Sequence, residues 1–225
     1  EPDKTTRNIQ EWLQVGSIIE DEDGRLIAPW RPRHHFHDPT RNAGLDNHTD
    51  YPDWDAPGTS SWLPLGESTL VWATTGHSSY EPHNNHDKWG TAKTLFYKSL
   101  RDSDKIMREQ YLAESLLKLG CVLHLVEDMG VPAHTRNDFL YGHYRSVYTL
   151  DWGNPLEDWV EDQVKANAGQ SPWSGTGPVI FDKLAKYFDA DTYAGDYLGD
   201  GQVPPEDLWG LAECTNYQFL SLSTV

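Results

Sequence analysis

The chain has 225 residues, with 35 acidic and 18 basic side chains and a formal charge of −17. Tight nonspecific binding to nucleic acid is disfavoured, because counterion release requires an excess of lysine and arginine. The 225 residues contain no apolar run long enough to cross a bilayer and no recognisable signal-peptide pattern. The length suits one hydrophobic core and no change of composition marks a boundary, so we predict a single domain over residues 1–225.

Helical patterns separated by long loops run through the chain. Residues 5–15 predict a helix capped by Thr5 or Thr6, and the acidic run 20–23 ends a helix before Gly24. Residues 24–85 lack periodicity and are rich in Pro, Gly, Asp and Trp, which predicts an irregular region that bound metal would have to hold. We see no alternating strand pairs. Further helices are predicted near residues 90–101, 104–129, 155–167, 178–188 and 205–221.

One of these helices carries residues with metal-ligand spacing. His124 and Asp128 lie four apart on an apolar helix, so their side chains share a face with Cβ atoms about 5–6 Å apart. Imidazole nitrogen and carboxylate oxygen suit Zn²⁺, and the second carboxylate oxygen can bridge to another metal. Such a pair alone is more often a structural contact within a core helix. His134, just beyond the Gly130 and Pro132 that end the helix, favours a metal site.

Two other segments add candidate ligands. Residues 34–38 place three histidines and Asp38 in a loop bounded by prolines, and Asp21 lies in the acidic run upstream. Downstream, Pro155 opens a helix with Glu157 in its first turn, where the helix dipole alone would explain an acid. The fold class we predict is therefore all-α: a multi-helix bundle with long irregular loops and a metal site between helices.

These segments together resemble the zinc-dependent bacterial phospholipase C family and its relatives, the single-strand-specific nucleases. The central family signature is a His, an Asp four residues later, and then Pro-x-His. It is met here by His124, Asp128, Pro132 and His134. A family His-Phe-Tyr-Asp-Pro segment is similar to residues 35–39. The resemblance covers residues 8 to 165.

The resemblance implies a ligand set and two zinc ions. A third family metal needs N-terminal ligands, and its site is incomplete here because no histidine precedes His34. In the second site the family has a His four residues before the Glu. Gly153 stands at that position, and His143 is a candidate substitute. The implied ligands are Asp21, His35, His124 and Asp128 for one zinc ion, and His134 and Glu157 for the second.

The activity that the resemblance implies is phosphodiester hydrolysis, with a metal-activated water attacking a phospholipid head group. Asp21 is the first candidate to accept a proton from that water, and Glu157 is the second. We expect a phospholipid or small phosphodiester substrate, peripheral membrane contact through some of the 10 Trp and 11 Tyr, and no stable nucleic-acid partner. The alternatives are a single-strand nuclease or other phosphoesterase of the same superfamily, and a non-catalytic, metal-stabilised binding domain, which Gly153 and the missing N-terminal ligands favour.

Family resemblance points to a secreted or periplasmic protein. The abrupt start, and a last helix without a stop signal, suggest that the domain belongs to a longer chain. Cys121 and Cys214 lack the CxxC spacing of a zinc knuckle, and the sequence leaves open whether they form one disulfide or remain free thiols.

Overall fold

The computed structural model describes ten helices and strands, eight of them helices, and this confirms the all-α class. None of the described helices is both long and apolar enough to cross a membrane. The described residues are 6–21, 31, 34–45, 66–74, 88–137, 144–146, 151–152, 155–166, 185–189 and 210–218. The elements are α1 (Ile9–Asp21), α2 (Thr69–Thr74), α3 (Lys88–Arg101), α4 (Lys105–Asp128), α5 (Pro132–Thr135), β1 (Tyr144–Ser146), β2 (Asp151–Trp152), α6 (Pro155–Ala166), α7 (Ala185–Phe188) and α8 (Leu211–Gln218).

Two glycines allow α1 and α4 to cross in close contact. A Cβ atom on Gly16 would lie 2.2 Å from the carbonyl oxygen of Leu117, and one on Gly120 would lie 2.2 Å from that of Leu13. The thiol of Cys121 donates to the carbonyl oxygen of Gly16 across the same contact, at 3.2 Å. Larger residues at this crossing would push apart two helices whose C-terminal ends carry candidate ligands.

The long helix α4 pairs with α3 through a short connection. Asp104 caps α4 by accepting a hydrogen bond from the backbone N–H of Ile106 at 2.8 Å. Further along, the hydroxyl of Ser115 donates to the carbonyl oxygen of Ala92 at 2.8 Å. The predicted helices at 90–101 and 104–129 are confirmed to within two residues, and the Asp104 cap fixes the start of the second one.

The hydrophobic core lies where α2, α4, α7 and α8 meet. All seven of its members are at most 2% exposed, and Trp72 is the largest. Leu125 and Met129 contribute from the end of α4, next to Asp128. The remaining core residues are Leu70, Ala73, Phe188 and Ala212. The carboxyl end of α4 is therefore held in place by the core.

The predicted cap of the first helix is wrong. Asn8 caps α1 instead of Thr5 or Thr6: its side chain accepts from the N–H of Glu11, and Glu11 accepts from the N–H of Asn8 in return. This reciprocal capping box satisfies two backbone donors, which a lone threonine cannot do.

Four short elements, α2, α5, β1 and β2, were not predicted from the sequence. The helix α2 interrupts the region predicted to be irregular, and its six residues are too few and too uniformly buried to show a helical period. Strands β1 and β2 pair antiparallel, whereas no pair was expected; segments of three and two residues carry no alternating pattern. The helices predicted at 155–167, 178–188 and 205–221 are confirmed over 155–166, 185–188 and 211–218. Residues 167, 178–184, 205–209 and 219–221 lie outside the described residues, and Gly210 precedes α8 without being helical.

Candidate metal centre

The candidate site lies where α1 and α4 both end. The last turn of α1 carries Glu20 and Asp21, and the last turn of α4 carries Glu127 and Asp128. Neither turn contains a basic residue. Acids at the negative end of a helix dipole are electrostatically unfavourable. A cation bound between the two ends would offset that cost.

Three ligand atoms form a compact triangle at this point. Nδ1 of His35 lies 3.1 Å from Oδ2 of Asp128, and Nε2 of His124 lies 3.5 Å from the same oxygen. The two imidazole nitrogens are 3.4 Å apart. Ligand atoms around a tetrahedral zinc ion, at about 2.0–2.1 Å from the metal, are about 3.3 Å from one another. The triangle therefore has the dimensions of one face of a zinc site.

Asp21 supplies a further oxygen to this group. One ligand atom each from Asp21, His35 and His124 lie within 4.8 Å of one another, with His35 buried and Asp21 exposed. These three residues can hold a metal ion. Asp21 is the most exposed of the three and His124 is partly exposed, so a site built on them would be open to solvent on that side.

Asp128 faces a third imidazole with its other oxygen. Its Oδ1 lies 3.5 Å from Nδ1 of His134. Pro132 starts the short helix that carries His134, and the carbonyl oxygen of His134 accepts from the N–H of His37 at 3.0 Å. A carboxylate that lies between two sets of imidazoles has the arrangement of a ligand that bridges two cations.

Glu20 is a member of the site that sequence reasoning missed. It is fully buried, and Oε1 accepts a hydrogen bond from Nε1 of Trp72 at 2.7 Å while Arg31 donates to Oε2 at 3.0 Å. Oε1 also lies 3.8 Å from Nε2 of His35, the ring nitrogen that faces away from Asp128. Histidines that bind metals commonly direct their second nitrogen at a carboxylate. Glu20 presents its carboxylate to this nitrogen at an ion-pair distance that is longer than a hydrogen bond.

The other two histidines of the loop have different partners. The ring of His34 stacks on Trp72 at 3.9 Å, and its Nδ1 accepts from the N–H of Glu67. His37 is fully buried, with Nδ1 2.8 Å from the hydroxyl of Ser68 and Nε2 3.0 Å from Oδ2 of Asp189. Both rings anchor the loop, and His35 is the one directed at the metal centre.

The charged groups of the cluster shift one another's pKa. Burial alone would lower the pKa of His35, but Asp128 and Glu20 raise it to about 9. Burial alone would raise the pKa of Asp128, whereas His134, His35 and His124 lower it to about 2. Without metal, the neutral-pH cluster is an ion pair of protonated His35 and ionised Asp128. A metal ion that binds here has to displace that proton.

Five of the seven sequence-predicted ligands come together: Asp21, His35, His124, Asp128 and His134. With this mixture of nitrogen and oxygen donors at this spacing, the cluster could hold a metal ion. Glu157 lies in the first turn of α6, but its side chain is not among the described ones. His143 precedes β1 and lies outside the described residues. Cys121 and Cys214 are not joined by a disulfide.

Comparisons of the chain with models of protein families, with curated proteins and with solved structures found no match.

Proposed function

We propose that the chain is a zinc-dependent phosphodiester hydrolase that acts on phospholipid head groups in the manner of a phospholipase C. The observation that supports this most directly is the triangle of His35, His124 and Asp128, with mutual distances of 3.1 to 3.5 Å at the joined ends of two helices. The resemblance of residues 124–134 to the phospholipase C signature supplies the reaction class.

Within this proposal each residue has a defined task. A bound zinc ion supplies Lewis acidity, which lowers the pKa of water and neutralises phosphate oxygens. Asp21 is exposed next to the imidazoles, so it can accept the proton of a water that attacks phosphorus from the solvent side. Glu157 is the second candidate acceptor. Glu20 orients His35 through the nitrogen that faces away from Asp128, and His134 extends the site beyond Asp128.

The charge of the protein favours a small or lipid substrate over long nucleic acid. At −17 the molecule as a whole repels a polyanion, and a metal centre offsets this only over a short range. A single phosphodiester presented by a lipid head group needs only that local positive charge.

The test is hydrolysis of a chromogenic phosphocholine ester and of phosphatidylcholine by zinc-replete protein, before and after chelation. We expect turnover that chelation removes and zinc restores. Asp128→Asn should abolish it, whereas Glu109→Gln, an exposed acid on the same helix, should not. Single-stranded DNA and RNA are assayed in parallel, and cleavage of these alone would move the protein to the nuclease branch. Bound zinc without turnover on any substrate would refute hydrolysis and favour a metal-stabilised binding domain.

A further inference from the structure

One face of α3 exposes apolar side chains among basic ones. Residues 93, 96, 97, 100 and 101 follow the spacing i, i+3, i+4, i+7 and i+8, which places them on one side of a helix. We call this set, Lys93, Phe96, Tyr97, Leu100 and Arg101, the α3 face. Phe96, Tyr97 and Leu100 are 49%, 53% and 66% exposed. Ala92 and Ser99 are buried on the adjoining side of the helix, where the hydroxyl of Ser115 of α4 donates to the carbonyl oxygen of Ala92. About half or more of each apolar side chain of the α3 face remains exposed beyond that packing.

The same region carries positive charge on an acidic protein. Residues 88–108 contain six basic and two acidic side chains, although the whole chain has a charge of −17. Arg101 lies over the ring of Tyr97 at 4.4 Å, and Lys98 lies over the ring of Tyr111 at 5.4 Å. Within the part of the chain that the structure describes, no carboxylate pairs with Lys93, Lys98 or Arg101. This basic segment therefore differs in charge from the acidic remainder of the chain.

We propose that the α3 face docks on the surface of a bilayer that contains anionic phospholipid. Phe and Leu side chains bury apolar area below the head groups, a Tyr ring suits the boundary, and Lys and Arg keep their charged ends at the phosphates. Lipid is favoured over an acidic protein because three large apolar side chains stand directly among the cations, as at an interfacial helix. The remainder of the acidic surface would be repelled by the same membrane, so the α3 face also sets the orientation of docking.

This docking site rests on the proposed function, because it would bring the hydrolase to a lipid surface. The test measures vesicle binding and not hydrolysis. The unchanged protein, held in chelator so that no zinc-dependent turnover occurs, is sedimented with vesicles of phosphatidylcholine, with and without phosphatidylglycerol. We expect binding that requires phosphatidylglycerol and weakens with added salt. Lys93→Gln and Arg101→Gln should each weaken it about fivefold. Phe96→Ser with Leu100→Ser should remove most of it.

Matched controls separate the α3 face from exposure in general. Lys165→Gln and Ile9→Ser change an exposed cation and an exposed apolar residue on other helices, and both should bind vesicles like the unchanged protein. Far-ultraviolet circular dichroism checks that all variants keep their helices. The proposal is overturned if the unchanged protein does not bind, if binding ignores phosphatidylglycerol, or if the α3-face variants bind like the controls. Because no turnover is measured, none of these results depends on the hydrolase assay.

Discussion

Asp128→Asn removes one charge from the centre of the cluster while keeping the shape of the side chain. In metal-free protein the neighbouring imidazoles lower the pKa of Asp128 from 3.8 to about 2, against the opposing effect of burial. At about 1.4 kcal/mol per pKa unit, this favours the folded state by about 2.5 kcal/mol. The contribution is present above pH 3.8 and is lost as the pH falls through about 2. We therefore expect Asp128→Asn to lower the free energy of unfolding by about 2 to 3 kcal/mol at neutral pH.

The same change should matter less at high pH. The raised pKa of His35 means that its stabilising charge is fully present below pH 6.5 and is lost as the pH rises through about 9. Near pH 10 His35 is neutral and no longer offsets the charge of the buried Asp128 carboxylate. Asp128→Asn should therefore lower the free energy of unfolding only slightly at that pH. Urea unfolding of chelated protein, followed by circular dichroism at about pH 7 and about pH 10, measures the difference. An equal cost at both values would mean that Asp128 stabilises the fold through something other than its charge, and would refute the reasoning.

Three further predictions concern metal binding and helix packing. The zinc affinity of the chelated protein should rise about tenfold per pH unit up to about pH 9, because zinc displaces the proton of His35; a flat profile in a competition titration would contradict this. Glu20→Gln should weaken zinc binding about 10- to 100-fold in the same titration, and the exposed Glu109→Gln should not. Gly120→Ala should destabilise the protein by about 2 to 3 kcal/mol and weaken zinc binding, since its Cβ would meet backbone of α1 at 2.2 Å. In Gly130→Ala the added Cβ would lie 3.1 Å from a carbonyl oxygen, so this variant should lose far less stability in urea unfolding and far less zinc affinity in the titration. Similar losses in the two variants would count against the packing argument.

Local signals were enough to predict some parts of the molecule. The bounds predicted for α4 lie within one residue of the observed ones, because Asp104, which caps its start, and Gly130 and Pro132, which follow its end, lie in the same stretch of sequence. The spacing of His124, Asp128 and His134 likewise belongs to one helix and the turn that follows it. The side chains that the structure brings together here are those that the sequence pattern indicated.

Glu20 was missed because its role depends on distant residues. Its partner Trp72 lies on α2, a helix too short to show a helical period in the sequence. The neighbouring acid, Asp21, matched the family spacing and was chosen instead. One signal was present: Leu13, Gly16 and Glu20 lie at i, i+3 and i+7, on the side of α1 that packs against α4. An acid on a packing face needs a buried partner, and that would have singled out Glu20 from the acidic run.

The central claim is that His35, His124 and Asp128 bind zinc. Elemental analysis of protein that has been chelated, reloaded with zinc and dialysed tests this most directly, with Asp128→Asn and Glu109→Gln as matched variants. We expect at least one zinc ion per chain in the unchanged protein and in Glu109→Gln, and loss of zinc in Asp128→Asn. No retained zinc in the unchanged protein, or equal zinc in all three, would contradict the claim.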